Sequence, residues 1–540
     1  MNLTIRKIMD DLVSAQSDSG TAMETDAAKK IISYFEKDHY FSTHPENFGL
    51  EKTGDFLGRP VVWALKKGIG PNTIILTGHY DAVEINSYGQ LKQYALSPDL
   101  LKKEIIKRGM GNSTIKKDLN DDDWVFGRGT ADMKGGLALG IYKTLEASEK
   151  TEGSILFVAV PDEENLSAGT RNAIKILTKI RDKFQLNYKA TFILEPQLSL
   201  QNDNFLMYNG SIGKMMPLLL VKGKLAHCGE PLKGINSAHL ISEITSCISS
   251  SVDFITEDMG LTTQVPMVQM VRDLKESYDV SIPEYSAAFF NLLFVGDESG
   301  PKLLELFRKK VSEGTDTFMR KYGTACKMTK EKGLICHTDV VDNKPKILDI
   351  DDLEKLAKEG TTDFDGTKNQ IITRIASLLN SGKITMAEAS IQYVKEVLSL
   401  LDSDDPVIIM GICPPYYPPV NNSFLGDGYK EILDTARKSV KEETNLDMDF
   451  VPYFTGIGDG SYFLCRNAAK ERKITDKIIL PKEIYDLPLE EAQELGAPCF
   501  YLGPRSRDIH QWSERVYMPD LEKIVPHIID EILDKIFNEK

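Results

Sequence analysis

The sequence has no long apolar run, no basic excess and no paired cysteines, and each absence removes a class of function. No stretch approaches the roughly 20 apolar residues that a membrane span requires. The amino terminus, M-N-L-T-I-R-K-I-M-D-D, carries charges where a secretory leader needs its apolar segment. A cytoplasmic protein without a membrane partner is expected. Acidic residues outnumber basic ones, 80 against 65, leaving a formal charge of -15 whose field repels nucleic acid and anionic lipid. Small molecules are the expected partners, and nucleic acid is not. The seven cysteines (Cys228, Cys247, Cys326, Cys336, Cys413, Cys465, Cys499) are odd in number and scattered, and none stands in a C-x-x-C pair. That usage suits a reducing compartment and argues against a disulfide framework. Internal repeats and low-complexity tracts are missing as well.

What is there is enough chain for more than one core. At 540 residues the protein exceeds the roughly 250–300 residues at which single hydrophobic cores stop growing. An apolar stripe at helical spacing over 27–35 predicts an opening helix, and the short apolar runs V-V-W-A-L (61–65) and T-I-I-L-T (73–77) predict strands. A helix over 131–147, a strand over 154–160, a helix over 167–184 and a strand over 190–194 follow. This alternation implies an α/β unit with a mixed, mostly parallel sheet covered on both faces. After about residue 208 the strands lengthen, with helices near 236–250 and 300–321, which reads as a second, α+β domain. A charged helical stretch over about 350–401 is too long for a connection and reads as an insertion in that domain, or more plainly as a solvated helical pair. Helix–strand alternation resumes from Ser423 and closes with a helix over 520–537. The division expected is 1–211 and 419–540 as one discontinuous domain, with 212–418 inserted as the second.

Parallel α/β sheets carry their ligand sites beyond the carboxyl ends of the strands, and here those positions hold one kind of chemistry. T-I-I-L-T runs into G-H-Y-D with His79 and Asp81, and S-I-L-F-V-A-V runs into P-D-E-E-N with Glu163 and Glu164. A-T-F-I-L runs into Glu195, F-Y-L-G-P leads to His510, and the loop W-V-F-G-R-G-T-A-D adds Asp132. Imidazoles and carboxylates converging on one sheet edge are the ingredients of a divalent-metal site, and this donor mixture suits zinc, manganese or cobalt better than magnesium or calcium. Carboxylates crowded there without cations would repel one another.

Taken together, G-H-Y-D, G-R-G-T-A-D-M-K-G-G, P-D-E-E, I-L-E-P and the late histidine resemble the co-catalytic zinc hydrolases of peptidase family M twenty, which include aminoacylase, succinyl-diaminopimelate desuccinylase and glutamate carboxypeptidase. The insertion after S-P-D-L-L, W-V-F-G-R-G-T, P-P-Y-Y-P and H-Q-W-S-E-R-V-Y-M-P are similar to the arginine-utilisation RocB branch. The resemblance implies two divalent ions, zinc first, with cobalt or manganese as substitutes. Asp132 would bridge them, His79 and Glu195 would complete one coordination sphere, and Glu164 and His510 the other. Asp81 would accept a hydrogen bond from His79 and fix its tautomer. Glu163 would act as general base toward a metal-bridging hydroxide. In the second domain A-H-C-G-E-P-L-K-G-I-N-S-A resembles the family's lid motif, so that His227 would donate to the oxyanion, commonly in a neighbouring subunit of a homodimer, while Gly234 and Asn236 begin the lid helix.

One departure stands out. Where the family usually ends a lid strand with a carboxylate-gripping arginine, this chain has Phe290, Asn291 and Leu292, leaving Arg272 or Lys275 as possible substitutes. G-I-G-D-G-S-Y, with Gly458 and Asp459, reads as a substrate-pocket turn or simply a tight turn. The expected activity is hydrolysis of an amide in a small N-acyl amino acid or short peptide, within arginine or other amino-acid catabolism. A catalytically silent metal-binding regulator that kept the fold is the alternative. A two-metal phosphoesterase is disfavoured, because no basic cluster or phosphate loop accompanies the ligands.

Overall fold

The computed structural model describes residues 3–54, 57–198, 204–334 and 344–538, so Cys336 lies outside the described residues. The chain divides into two compact units, one of residues 1–212, 420–468 and 488–540 and the other of residues 213–419 and 469–487.

The first unit is built on an eight-stranded mixed sheet in the order Phe48–Lys52, Pro60–Lys66, Ser154–Val160, Asn72–His79, Asn187–Ile193, Cys499–Tyr501, Phe205–Tyr208, Met448–Val451. Its four central strands, Ser154–Val160 to Cys499–Tyr501, run parallel. Antiparallel pairing enters towards both edges. The strand Ser154–Val160 is buried throughout, and Asn72–His79 along all but its first residue, because helices cover both faces. On one face Ile74, Leu76, Phe157 and Phe192 share a core with Ile8 and Leu12 of helix Ile5–Ser14, Ile31 and Phe35 of helix Glu24–Glu36, Leu137 and Ile141 of helix Gly135–Glu146, and Ile528 and Ile532 of the closing helix Val525–Asn538. The amphipathic helix Ala168–Phe184 buries Ala173, Ile174, Leu177 and Ile180.

Register fixes the site. His79 pairs with Val160, and Thr77 with Ile193, so three central strands end at one level. The residues after them, 80–81, 161–164 and 194–195, emerge side by side. Gly136 lets the helix Gly135–Glu146 approach this edge, since a Cβ there would lie 2.1 Å from the Leu194 carbonyl oxygen.

The second unit has a five-stranded sheet in the order Met267–Asp273, Tyr285–Phe294, Gly213–Lys222, Val407–Tyr417, Lys346–Asp349. The helices Ser237–Ile248 and Ser299–Glu331 pack against each other, the latter running ten residues beyond the expected end at 321. The region over 350–401 is not a solvated helical pair but three helices, Ile350–Gly360, Phe364–Asn380 and Met386–Leu398. They bury Leu353, Ile375, Tyr393 and Val397, and the strand before them pairs in parallel with Val407–Tyr417. Residues 469–487, assigned to the catalytic domain from sequence, belong with this unit. Ile412 N–H donates to the Lys477 carbonyl (2.7 Å), Ile479 N–H to that of Ile412 (2.9 Å), and Tyr416 N–H to the Tyr485 hydroxyl (3.0 Å). Such main-chain bonding leaves no periodicity in the sequence to read.

Candidate active site

Asp132 sits at the centre of the converging strand ends. Its Oδ1 lies 3.0 Å from His79 Nε2, and its Oδ2 lies 3.0 Å from His510 Nε2. On one side Glu195 Oε1 is 3.2 Å from His79 Nε2; on the other Glu164 Oε1 is 2.8 Å from His510 Nε2. Two three-residue sets, His79–Asp132–Glu195 and Asp132–Glu164–His510, therefore share Asp132, with the ligand atoms of each set within 4.8 Å of one another. Glu163 stands beside them, its Oε2 4.0 Å from His79 Nε2. The sets differ in exposure. The side chain of His79 is 1% exposed and that of Glu195 8%, whereas that of His510 is 48% exposed.

Asp81 has a wider role than the sequence implied. His79 Nδ1 donates to the main-chain oxygen of Asp81 at 3.0 Å, while the Asp81 carboxylate is 3.4 Å away. That carboxylate accepts the N–H groups of Glu163 (3.1 Å) and Glu164 (3.2 Å) and the Ser19 hydroxyl (2.5 Å). Asp81 thus fixes both: its main-chain oxygen holds the imidazole and its carboxylate holds the turn that carries the paired glutamates.

The electrostatics are those of a crowded anionic pocket. Burial pushes Glu163 well above the usual carboxylate range, reinforced by Asp459, Glu164 and Glu195, and it raises Glu164, with Asp132 adding to the effect. Glu195 is pushed up to about 7 by burial and by Asp132, against the opposing pull of His79. Burial alone would lower His79, but the charge of Glu195 and the hydrogen bonds to Asp132, Asp81 and Glu195 outweigh it and hold the imidazole well above its ordinary range. His510 rises to about 10 through its contacts with Asp132 and Glu164. Burial would raise Asp132, but the hydrogen bonds from His510 and His79 hold it below the usual range. The pocket thus retains protons that divalent cations would displace, and its oxygen and nitrogen donors fit two such ions.

Several supporting residues were not read from the sequence. Glu24 is fully buried, and its Oε1 accepts from Gly20 N (2.7 Å) and Arg59 Nη1 (2.7 Å) while its Oε2 accepts from Asp162 N (2.9 Å). Arg59 Nη1 also reaches Asp162 Oδ1 at 2.7 Å. Ser17 Oγ donates to the Tyr80 carbonyl (2.7 Å). Residues 17–24 therefore brace both the His79–Asp81 and the Asp162–Glu164 turns. The signal available, S-D-S-G before a helix opening with glutamate, is too common to single out.

Of the other positions, Asp459 is buried and accepts from the Thr170 hydroxyl; burial pushes its carboxyl up to about 6. Gly458 packs on Tyr501, whose hydroxyl would lie 2.9 Å from a Cβ there. In the second unit Asn236 caps the helix Ser237–Ile248, its Oδ1 accepting from His239 N at 3.1 Å. His227 is exposed on a short ribbon, bridged to Ser281, and its Nδ1 accepts from Gly229 N at 3.0 Å. Phe290 and Leu292 are buried, with Phe290 edge-on to Phe307. Arg272 faces Glu388 at 3.5 Å and Lys275 donates to the Ser281 carbonyl at 2.8 Å, so both cations already have partners.

Residues 75–529 match the family described as Peptidase family M20/M25/M40. YqjN of Bacillus subtilis (strain 168) is 28% identical, across 98% of this chain and 96% of its own length. Protein RocB of the same organism is 27% identical, across 96% of this chain and 92% of its own length. Among solved structures, the M20 family metallo-carboxypeptidase Sso-CP2 from Sulfolobus solfataricus has a TM-score of 0.54 at 12% identity, covering 99% of this chain and 100% of that one, a likeness of fold. With this family matched over most of its length, the chain belongs to peptidase family M20/M25/M40 and is related to RocB.

Proposed function

We propose that this protein is a cytoplasmic two-metal amidohydrolase, zinc-dependent in the first instance, that releases an amine from a small N-acyl amino acid or short peptide. The likeness to RocB supports a place in arginine or other amino-acid catabolism. The observation that carries the reading is Asp132, whose two oxygens each lie 3.0 Å from a different imidazole, with a further carboxylate beyond each ring.

Asp132 would hold both ions, with His79 and Glu195 on one side and Glu164 and His510 on the other. When bound, such a pair lowers the pKa of water toward about 7 and polarises a carbonyl. Glu163 takes the proton from the attacking water and delivers it to the departing amine. Its carboxyl stands beside the ligands, Oε2 4.0 Å from His79 Nε2, and general acid–base work needs such a proton carrier within reach of the reacting groups. Asp81 keeps Glu163 in place through the Glu163 N–H. His227 supplies a donor for the oxyanion: with Nδ1 accepting from Gly229, the neutral ring carries its proton on Nε2. A homodimer through the second unit would let this histidine serve a neighbouring chain. Asp459 and Gly458 line the substrate pocket in this reading.

The test is metal analysis of purified protein combined with a panel of N-acyl amino acids and dipeptides, before and after chelation. Hydrolysis that is lost on chelation and restored by zinc, cobalt or manganese is expected. A protein that binds these ions yet cleaves no member of the panel would favour the silent metal-binding alternative.

A further inference from the structure

Beyond the ligands lies a buried ion pair that reaches both loops of the more exposed set. Arg128 and Glu514, 386 residues apart in sequence, form an ion pair with side-chain exposures of 2% and 0%. The Oε1 of Glu514 collects the N–H groups of Gly129 (2.7 Å), Ala131 (3.3 Å) and Asp132 (3.4 Å). Its Oε2 meets Arg128 Nη1, and Arg128 Nη2 donates to the carbonyl of His510 (3.0 Å) and lies 2.9 Å from Ser87 Oγ. One carboxylate thus ties the backbone of Asp132 directly, and that of His510 through a single guanidinium.

The loops need such a tie. His510 has φ 65 and Asp508 φ 55, both in the left-handed region that side chains rarely adopt, and Gly129 has φ 76. Non-glycine residues persist there only when their surroundings over-determine them. The adjoining strands Trp124–Phe126 and Arg515–Tyr517 pair antiparallel, and main-chain bonds such as Gly127 N–H to the Glu514 carbonyl (3.0 Å) and Gln511 N–H to that of Asp508 (3.0 Å) close the turns, while the amides of Gly129, Ala131 and Asp132 turn to the Glu514 side chain. A buried ion pair is seldom more stabilising than apolar residues of the same volume, so what this one contributes is geometry. His79 and Glu195 receive no contact from it and sit on the strand ends of the main sheet.

We propose that Glu514, acting through the loop amides and Arg128, is a positioning residue that sets the cation affinity of the Asp132–Glu164–His510 set more strongly than that of the His79–Asp132–Glu195 set, because it holds the backbone of both Asp132 and His510 in the first and of Asp132 alone in the second. The proposal rests on the two-metal reading above. Metal-free wild type, Glu514→Gln, Arg128→Lys and the double variant Arg128→Met/Glu514→Gln are titrated with Zn²⁺ by calorimetry and with Co²⁺ by visible absorption, with folding followed by circular dichroism. Arg128→Lys keeps the charge, and the double variant leaves neither charge unpaired, so a folded protein is available even if Glu514→Gln is unstable.

Wild type should take up two ions. The folded variants should bind both ions more weakly, one of them by at least tenfold more than the other, with Arg128→Lys the mildest. Two ions at wild-type affinity in the folded variants would overturn the positioning role while leaving the two-metal reading intact. Equal weakening of both ions would also overturn it, since the tie to His510 through Arg128 would then add nothing to the tie to Asp132. A wild type that takes up fewer than two ions would remove the two-metal reading and the proposal with it.

Discussion

The two units bury very different kinds of side chain. In the first, Glu24, Arg59, His79, Asp81, Arg128, Lys134, Asp162, Glu195, Asp459 and Glu514 are all buried, most of them within one or two contacts of the strand ends. In the second, Lys222 and Glu471 are the only buried charged side chains among the described residues. Burying charge is costly unless it is paired or neutralised, and a fold that needed only stability would resemble the second unit. The charge concentrated in the first marks where chemistry is held in place. Partners differ accordingly. The first unit pairs its buried acids with buried arginines and gathers carboxylates and imidazoles that are candidate metal ligands, whereas Glu471 answers to a proton.

The most severe way to break this comparison is to remove a charge that chemistry alone requires. Glu163→Gln should lower turnover by about 10³-fold or more, because the proton carrier is lost, while metal content stays at the wild-type level. His79→Ala and Asp132→Ala should lose metal as well. Steady-state kinetics alongside metal analysis separates the cases, and full metal loss in Glu163→Gln would contradict its assignment as base.

Next is a charge that supports the turn bearing the base. Arg59 stands between Glu24 and Asp162, 2.7 Å from each. Arg59→Met leaves two buried carboxyls side by side without their cation, which should cost about 3–5 kcal/mol of stability. Denaturant unfolding of the first unit measures it. A loss below about 1 kcal/mol would mean that the brace formed by residues 17–24 does not depend on this charge.

The two effects also separate what was legible in the sequence from what was not. His79, Asp81, Glu163, Glu164 and Glu195 were readable because each follows an apolar strand, and parallel strands in register bring their ends together. Arg59, Glu24, Arg128 and Glu514 were not, because they act on backbone amides and on each other across large sequence separations, and a lone buried arginine has the same one-dimensional signature as an exposed one. The same reason hid residues 469–487, whose attachment to the second unit runs through main-chain hydrogen bonds to Ile412 and a tyrosine pair. The 350–401 region was read as helical from its charge pattern, but the strand Lys346–Asp349 that ties it to the sheet depends on tertiary pairing.

A smaller effect is expected for His227, the residue of the second unit proposed to serve the oxyanion. His227→Ala should reduce turnover by about 10²–10³-fold, the usual contribution of one oxyanion donor, with metal content and stability unchanged, since His227 is exposed and bonded only locally. Mixing His227→Ala with Glu163→Gln tests whether the donor is supplied by a neighbouring chain. Partial recovery would require a dimer with composite sites, and no recovery from a protein that sediments as a monomer would assign the histidine to its own chain.

The smallest effect tests Glu471, the one buried carboxyl of the second unit among the described residues. Glu471 accepts the Tyr416 hydroxyl at 2.9 Å, and burial pushes its pKa from 4.5 up to about 7. The folded state therefore holds a proton that the unfolded chain has already released. The stability linked to this group is fully present below about pH 4.5 and is lost as pH rises through about 7. A shift of that size corresponds to about 3 kcal/mol. Glu471→Gln keeps an acceptor for Tyr416 and carries no charge at any pH, so it should match wild type at pH 4.5 and exceed it by up to about 3 kcal/mol at pH 8. Denaturant unfolding of the second unit at the two pH values reads the difference directly. If wild type and variant instead show the same dependence on pH, Glu471 is ionised in the folded state, and the second unit, like the first, holds a buried charge by pairing rather than by keeping a proton.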